Sequence, residues 1–200
     1  MGVDSQGNVW VTNHLGNSQR GPKVLRLLIE MAKAGKNFDP IMVRALVEQK
    51  PGPEGGSITV LHPDGSQTPF SPIYGHGLVV PWAVAVDGND NVWVSNFSSS
   101  SAGIAQLCGF RTETFPPGLK TGDAISPPGG YVGGGLQMQI DLGVDPAGDV
   151  WVTNNYQDYE ADLGRVAEPL STLGAGQGLV VFYGIAKAVR TPLIGPPRAY

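Results

Sequence analysis

One line of sequence occurs three times in this chain, and nothing else in it limits the fold so strongly. It reads Gly2-Val-Asp-Ser-Gln-Gly-Asn-Val-Trp-Val-Thr-Asn13, then Ala85-Val-Asp-Gly-Asn-Asp-Asn-Val-Trp-Val-Ser-Asn96, then Gly143-Val-Asp-Pro-Ala-Gly-Asp-Val-Trp-Val-Thr-Asn154. In every copy Trp follows Asp by six residues and Asn follows it by nine. A fixed line at irregular intervals marks a repeated structural unit rather than a biased composition. Each copy is a strand ending in Val-Asp, a turn of Asp, Asn, Gly, Pro and Ser residues, and a second strand with strict alternation, which is a β-hairpin.

The residue types assign roles within the hairpin. Asp4, Asp87 and Asp145 stand where a carboxylate can accept N–H groups from the turn that follows. Trp10, Trp93 and Trp151 point to the face opposite their flanking valines and are expected to pack between adjacent sheets. A third strand follows each hairpin at Gly56 to Leu61, Gly103 to Leu107 and Gly178 to Tyr183, and fourth strands are expected around Gln67 to Phe70 and Ala188 to Leu193. Repeated four-stranded units are propeller blades, so the fold class is all-β, with one domain over residues 1–200. Its copies run over about 1–70, 71–135 and 136–200.

The recurring "V-D-x-x-G-x-V-W-V-T-N" line resembles the NHL-repeat propellers and, more closely, the virginiamycin B (streptogramin) lyase-like family. The resemblance covers nearly the whole chain apart from two insertions and implies a propeller. Such blades carry binding proteins, lactonases and lyases alike. It also implies an extracytoplasmic location, although Met1 runs directly into the first repeat and no signal segment is read there.

Three blades are half of a six-bladed ring and leave two sheet faces uncovered. A homodimer would complete the ring; the competing explanation is that the chain is a fragment, or an independently evolved half, of a six-bladed ancestor. Two insertions interrupt the repeat. Residues 15–55 hold two helical patterns: Val24, Leu27, Leu28 and Met31 share one face, and Asp39-Pro40 is an N-cap followed by proline. Residues 155–177 carry Asp158, Glu160 and Asp162. In a four-stranded blade both insertions emerge on one face, the upper one, opposite the Asp turns, and long loops on a rigid scaffold are where function concentrates.

Candidate chemistry is drawn from that face. Asn13, Asn96 and Asn154 end the second strands, where their amides can line a ligand site, bond the loop backbone, or, for Asn96 and Asn154, offer oxygen to a hard cation such as Ca²⁺ or Mg²⁺. No cofactor is demanded by the sequence. His14 stands where the other copies have Phe97 and Asn155, and His76, in Tyr-Gly-His-Gly, precedes the second copy's inner strand; the two are the candidate catalytic residues. His62 falls in a turn on the opposite face and reads as structural.

Other chemistry finds less footing. The streptogramin lyases pair a metal with histidine and Glu-x-His, and no Glu-x-His occurs here. Lactonase-like propellers hold a divalent metal on the axis with Glu, Asn and Asp, which Asn96 and Asn154 with an insertion acid would imitate. There is no Gly-x-Ser-x-Gly elbow, and the Gly129 to Gly135 run lacks the Lys-Ser/Thr of a phosphate cradle. With 13 basic and 17 acidic residues and no basic cluster, nucleic acid is not an expected partner. The longest apolar stretch, Gly77 to Val86, contains Pro81 and is too short to span a bilayer. Cys108 is the sole cysteine, so no intrachain disulfide forms. Two functions remain: a binding or scaffold propeller with a small-molecule or carbohydrate-like ligand, narrowly preferred, and a metal-dependent hydrolase or lyase acting on an ester or lactone. Whether the chain is an enzyme is left open.

Overall fold

The computed structural model describes residues 1–14, 56–97, 103–136, 138–154, 178–190 and 198–199. The helical insertion expected at 15–55 and the acidic insertion at 155–177 lie outside the described residues. Within them the chain is all-β, and a single turn of 3₁₀ helix at Thr112–Thr114 is the one helical element.

Each copy of the repeat forms its own three-stranded antiparallel sheet in chain order. Sheet I contains β1 (Gly2–Val3), β2 (Val9–Asn13) and β3 (Ser57–Leu61); sheet II contains β4 (Pro81–Val86), β5 (Val92–Asn96) and β6 (Ala105–Leu107); sheet III contains β7 (Gln139–Val144), β8 (Val150–Asn154) and β9 (Gly178–Phe182). A separate pair joins β10 (Val189–Arg190) to β11 (Arg198–Ala199). The sheets stack face to face in a propeller-like series, with the first strands β1, β4 and β7 side by side. They approach so closely that a Cβ on Gly2 would lie 3.0 Å from Val84 Cγ1.

The repeat explains each hairpin. Asp87 Oδ1 accepts the Asn89 and Asn91 N–H groups at 2.8 and 3.0 Å, and Oδ2 accepts the Trp93 indole N–H at 3.0 Å. Asp4 does the same for Gln6, Asn8 and Trp10, and Asp145 for Ala147, Asp149 and Trp151. One carboxylate thus closes the turn and satisfies the indole, which for Trp10 and Trp93 lies in the core, where an unpaired N–H would cost about 1–3 kcal/mol. Two apolar layers follow. Trp10, Ile58 and Val60 meet Val84, Val92 and Val94 between sheets I and II. Trp93 and Ile104 meet Leu142, Val150, Val152 and Val180 between sheets II and III.

The outer edge expected as a strand around Gln67 to Phe70 is not a continuous fourth strand, and the one expected at Ala188 to Leu193 lies partly outside the described residues. Residues 67–73 meet β3 through isolated bridges, Leu61 to Gln67 and Ile58 to Ile73, and in sheet II Leu107 is met likewise by Ala124 and Ile104, just before β6, by Tyr131. In both places a serine hydroxyl replaces a ladder carbonyl: Ser71 Oγ accepts the Val60 N–H at 2.8 Å and Ser126 Oγ the Gln106 N–H at 3.1 Å. Pro69, Pro72, Pro127 and Pro128 supply no N–H to a ladder, which is why no regular strand forms. In the third copy, Val189–Arg190 pairs with β11, and among the described residues it does not extend β9.

Candidate functional site

The ends of β2, β5 and β8 and the starts of β3, β4, β7 and β9 make one rim, opposite the Asp turns. Here β4 and β7 share two departures from regular strand. Each enters through a non-glycine residue in the left-handed region, Val80 at φ +50° and Met138 at φ +46°. For the β-branched Val80 this is a strained conformation, costing on the order of 1–3 kcal/mol. Each then bulges by one residue, between Pro81 and Val84 and between Gln139 and Asp141. Bulges re-aim side chains, and they recur next to functional sites.

In β4 the re-aimed residue is Trp82. Ser95 Oγ accepts the Ala83 N–H at 3.0 Å, and the Thr12 hydroxyl donates to the Trp82 carbonyl at 2.8 Å. The indole remains 37% exposed. The His14 ring stacks on it, with centroids 4.1 Å apart and planes 19° from parallel, and Phe97 leans against it at 4.7 Å. His14 Nδ1 lies 2.7 Å from the Pro81 carbonyl oxygen. A carbonyl only accepts, so Nδ1 carries the hydrogen and Nε2 is the nitrogen left to meet a ligand. His14 and Phe97 occupy the same place in their copies, one residue past the terminal Asn, and both clasp this one indole.

The three asparagines hold the rim together in different ways. Asn96 is fully buried; its Nδ2 donates to the Gly77 and Gly103 carbonyls at 2.8 and 2.7 Å, and its Oδ1 accepts the Val79 N–H at 2.9 Å. Of the roles open to it in sequence, it takes the loop-bonding one. Gln139 Oε1 accepts the Asn96 backbone N–H at 3.1 Å, which ties sheet III to sheet II. Asn154 donates to the Gly135 carbonyl at 2.9 Å, the counterpart of Gly77. Asn13 turns instead to the Ser57 and Thr59 hydroxyls at 3.1 and 2.9 Å.

His76 is not on the Trp82 stack. It is exposed, at φ +53°, and lines a separate cleft of about 290 Å³ with Phe70, Tyr74, Thr121 and Asp123. The two histidines therefore belong to different surface features. His62 lies on the Asp-turn side, with Nδ1 3.2 Å from Asn8 Oδ1. Among the described residues no three His, Cys, Asp or Glu side chains gather into a metal-holding group; Asp158, Glu160 and Asp162 lie outside them. Cys108 is buried, and that burial, with Asp123 nearby, pushes its thiol up to about 11, so it is no nucleophile at neutral pH.

Trp82 is the residue that sequence comparison of the copies passes over. Its signal was nonetheless present: of four tryptophans, it alone lies outside the repeated line.

No protein-family model matches the chain, and no curated protein matches it. A solved X-ray structure, that of a "putative gluconolactonase", is similar at a TM-score of 0.41 and 14% identity over 76% of this chain. The chain spans 40% of that structure's length.

Proposed function

We propose that the three sheets are blades of a propeller, and that the chain is a binding protein which takes a carbohydrate-like small ligand on the aromatic rim around Trp82. The observation that carries this reading is the clasped, part-exposed indole. A bulge and a strained residue aim it out of an inner strand, where burial would otherwise be expected. A sugar ring has apolar C–H faces and hydroxyl edges, and it suits a site with an aromatic surface and a few fixed polar groups beside it. His14 Nε2 and the half-buried Thr12 hydroxyl are those groups in this reading. Asn13 and Asn154 then hold the rim rather than a metal.

Titration of mono- and oligosaccharides and of sugar lactones, followed by tryptophan fluorescence and calorimetry, tests it. Trp82→Ala is expected to weaken binding at least about 10-fold, equivalent to about 1.4 kcal/mol, and to leave cooperative unfolding intact. Binding that is indifferent to Trp82→Ala would overturn the proposal. Turnover of a lactone with a stoichiometric divalent ion, both lost in Asn154→Ala, would move the reading to a metal-dependent hydrolase.

A further inference from the structure

Matched positions in the three sheets have very different surroundings. On the face that each sheet turns toward the next, Trp10 and Ile58 in sheet I are 0% exposed, and Trp93 and Ile104 in sheet II are 0% exposed. Their counterparts in sheet III, Trp151 and Leu179, are 40% and 63% exposed. The opposite face shows the reverse. Val86 of sheet II is 4% exposed and packs toward sheet I, and its counterpart Val3 in sheet I is 37% exposed. Val92, Val94, Val150 and Val152 are all fully buried, whereas Val9 and Val11 are only half-buried. The chain therefore presents both sides of its own sheet-to-sheet junction, one at each end.

The glycines repeat the pattern. Gly2 and Gly143 both pair across from their tryptophan, and a Cβ on Gly2 would crowd Val84 of the next sheet. A Cβ on Gly143 would meet nothing within 4 Å. Glycine inside a strand weakens it and marks close approach of another backbone; among the described residues nothing makes that approach to Gly143 in sheet III.

From these continuities we infer that a second copy of this chain supplies the missing sheets. Sheet III of each copy packs on sheet I of the other, through Trp151 and Leu179 against Val3, Val9 and Val11. The contact is head to tail and extends a junction already present twice in the chain. Closed propellers hold four to eight sheets, so the three stacked sheets of the described residues permit two copies, and a two-fold axis forms the same junction twice. The inference rests on the propeller-like stacking and not on what the rim binds.

The test is the mass of the 21.0 kDa chain by analytical ultracentrifugation at micromolar concentration, for the native chain and for Leu179→Lys and Val3→Asp. The native chain sediments at twice its mass. Each substitution puts a charge into both junctions and raises the dimer dissociation constant about 100-fold or more, with cooperative unfolding retained. Mixing the two variants restores pairing, because a mixed pair keeps one junction free of charge, whereas each variant alone carries a charge in both. A native chain of single mass overturns the proposal, as does a Val3→Asp variant that still pairs through sheet III alone, or a mixture that stays single.

Discussion

The Asp87 and Asp145 turns are the same motif in two settings. Both carboxylates accept two turn N–H groups and an indole N–H at nearly equal distances. Burial nonetheless raises the Asp87 pKa above the ordinary 3.8, whereas for Asp145 the Trp151 and backbone hydrogen bonds prevail and lower it. The bonding is encoded locally, within six residues; the energetics are set by what the neighbouring sheet covers. Among the described residues, sheet II is covered on both faces and sheet III on one.

The largest contrast is expected at the tryptophans. Trp93→Ala empties a buried site and is expected to cost about 3–5 kcal/mol in urea unfolding, independent of protein concentration. Trp151→Ala is expected to cost under about 1 kcal/mol in dilute single chains, and more as concentration rises if a second copy covers the indole. Equal losses from both, at every concentration, would show that the two settings are not different.

Next comes the carboxylate itself. Asp87→Ala leaves the Trp93 indole and two turn N–H groups without their acceptor in a dry layer, an expected loss of about 2–4 kcal/mol. Asp145→Ala is expected to lose less, because water can replace the acceptor there.

The smallest effect is in pH dependence, measured on single chains. A raised native pKa means that ionising Asp87 removes stability as pH rises from 3.8 through its native value, so Asp87→Asn makes the acid-side decline steeper. A lowered native pKa means that Asp145 adds stability above 3.8 and loses it as pH falls through its native value, so Asp145→Asn makes that decline shallower. Shifts of the same sign in both variants would contradict the opposed environments.

How much of this was legible in the sequence follows the same division. The hairpins, the Asp-turn bonds and the third strands were readable, because alternation and turn chemistry act over a few residues. The indole-to-carboxylate bond was implicit in the six-residue spacing, but it needed the strand register, Ala85 opposite Trp93, to be seen. The outer edge around Gln67 to Phe70 reads as a strand in sequence but forms only isolated bridges, because Pro69 and Pro72 interrupt the donors that a continuous ladder needs. At the rim, the break in the repeat pointed to His14 but not to its partner Trp82, since a bulge places the indole and periodicity does not register bulges. Asn96 illustrates the remaining ambiguity: the same amide suits a cation, a ligand or a loop, and only the positions of Gly77, Val79 and Gly103 decide.

The shortness of the Asp-to-Trp connection has a consequence for how the chain reaches its fold. Each hairpin closes its turn and anchors its indole using contacts no more than six residues apart, so the loop-closure entropy of this step is small. The long segment between β2 and β3 must be bridged only afterwards, when the third strand joins. Folding in such an array can start in any hairpin and spread to its neighbours, with sheet II, flanked on both sides, the member that gains most from either direction.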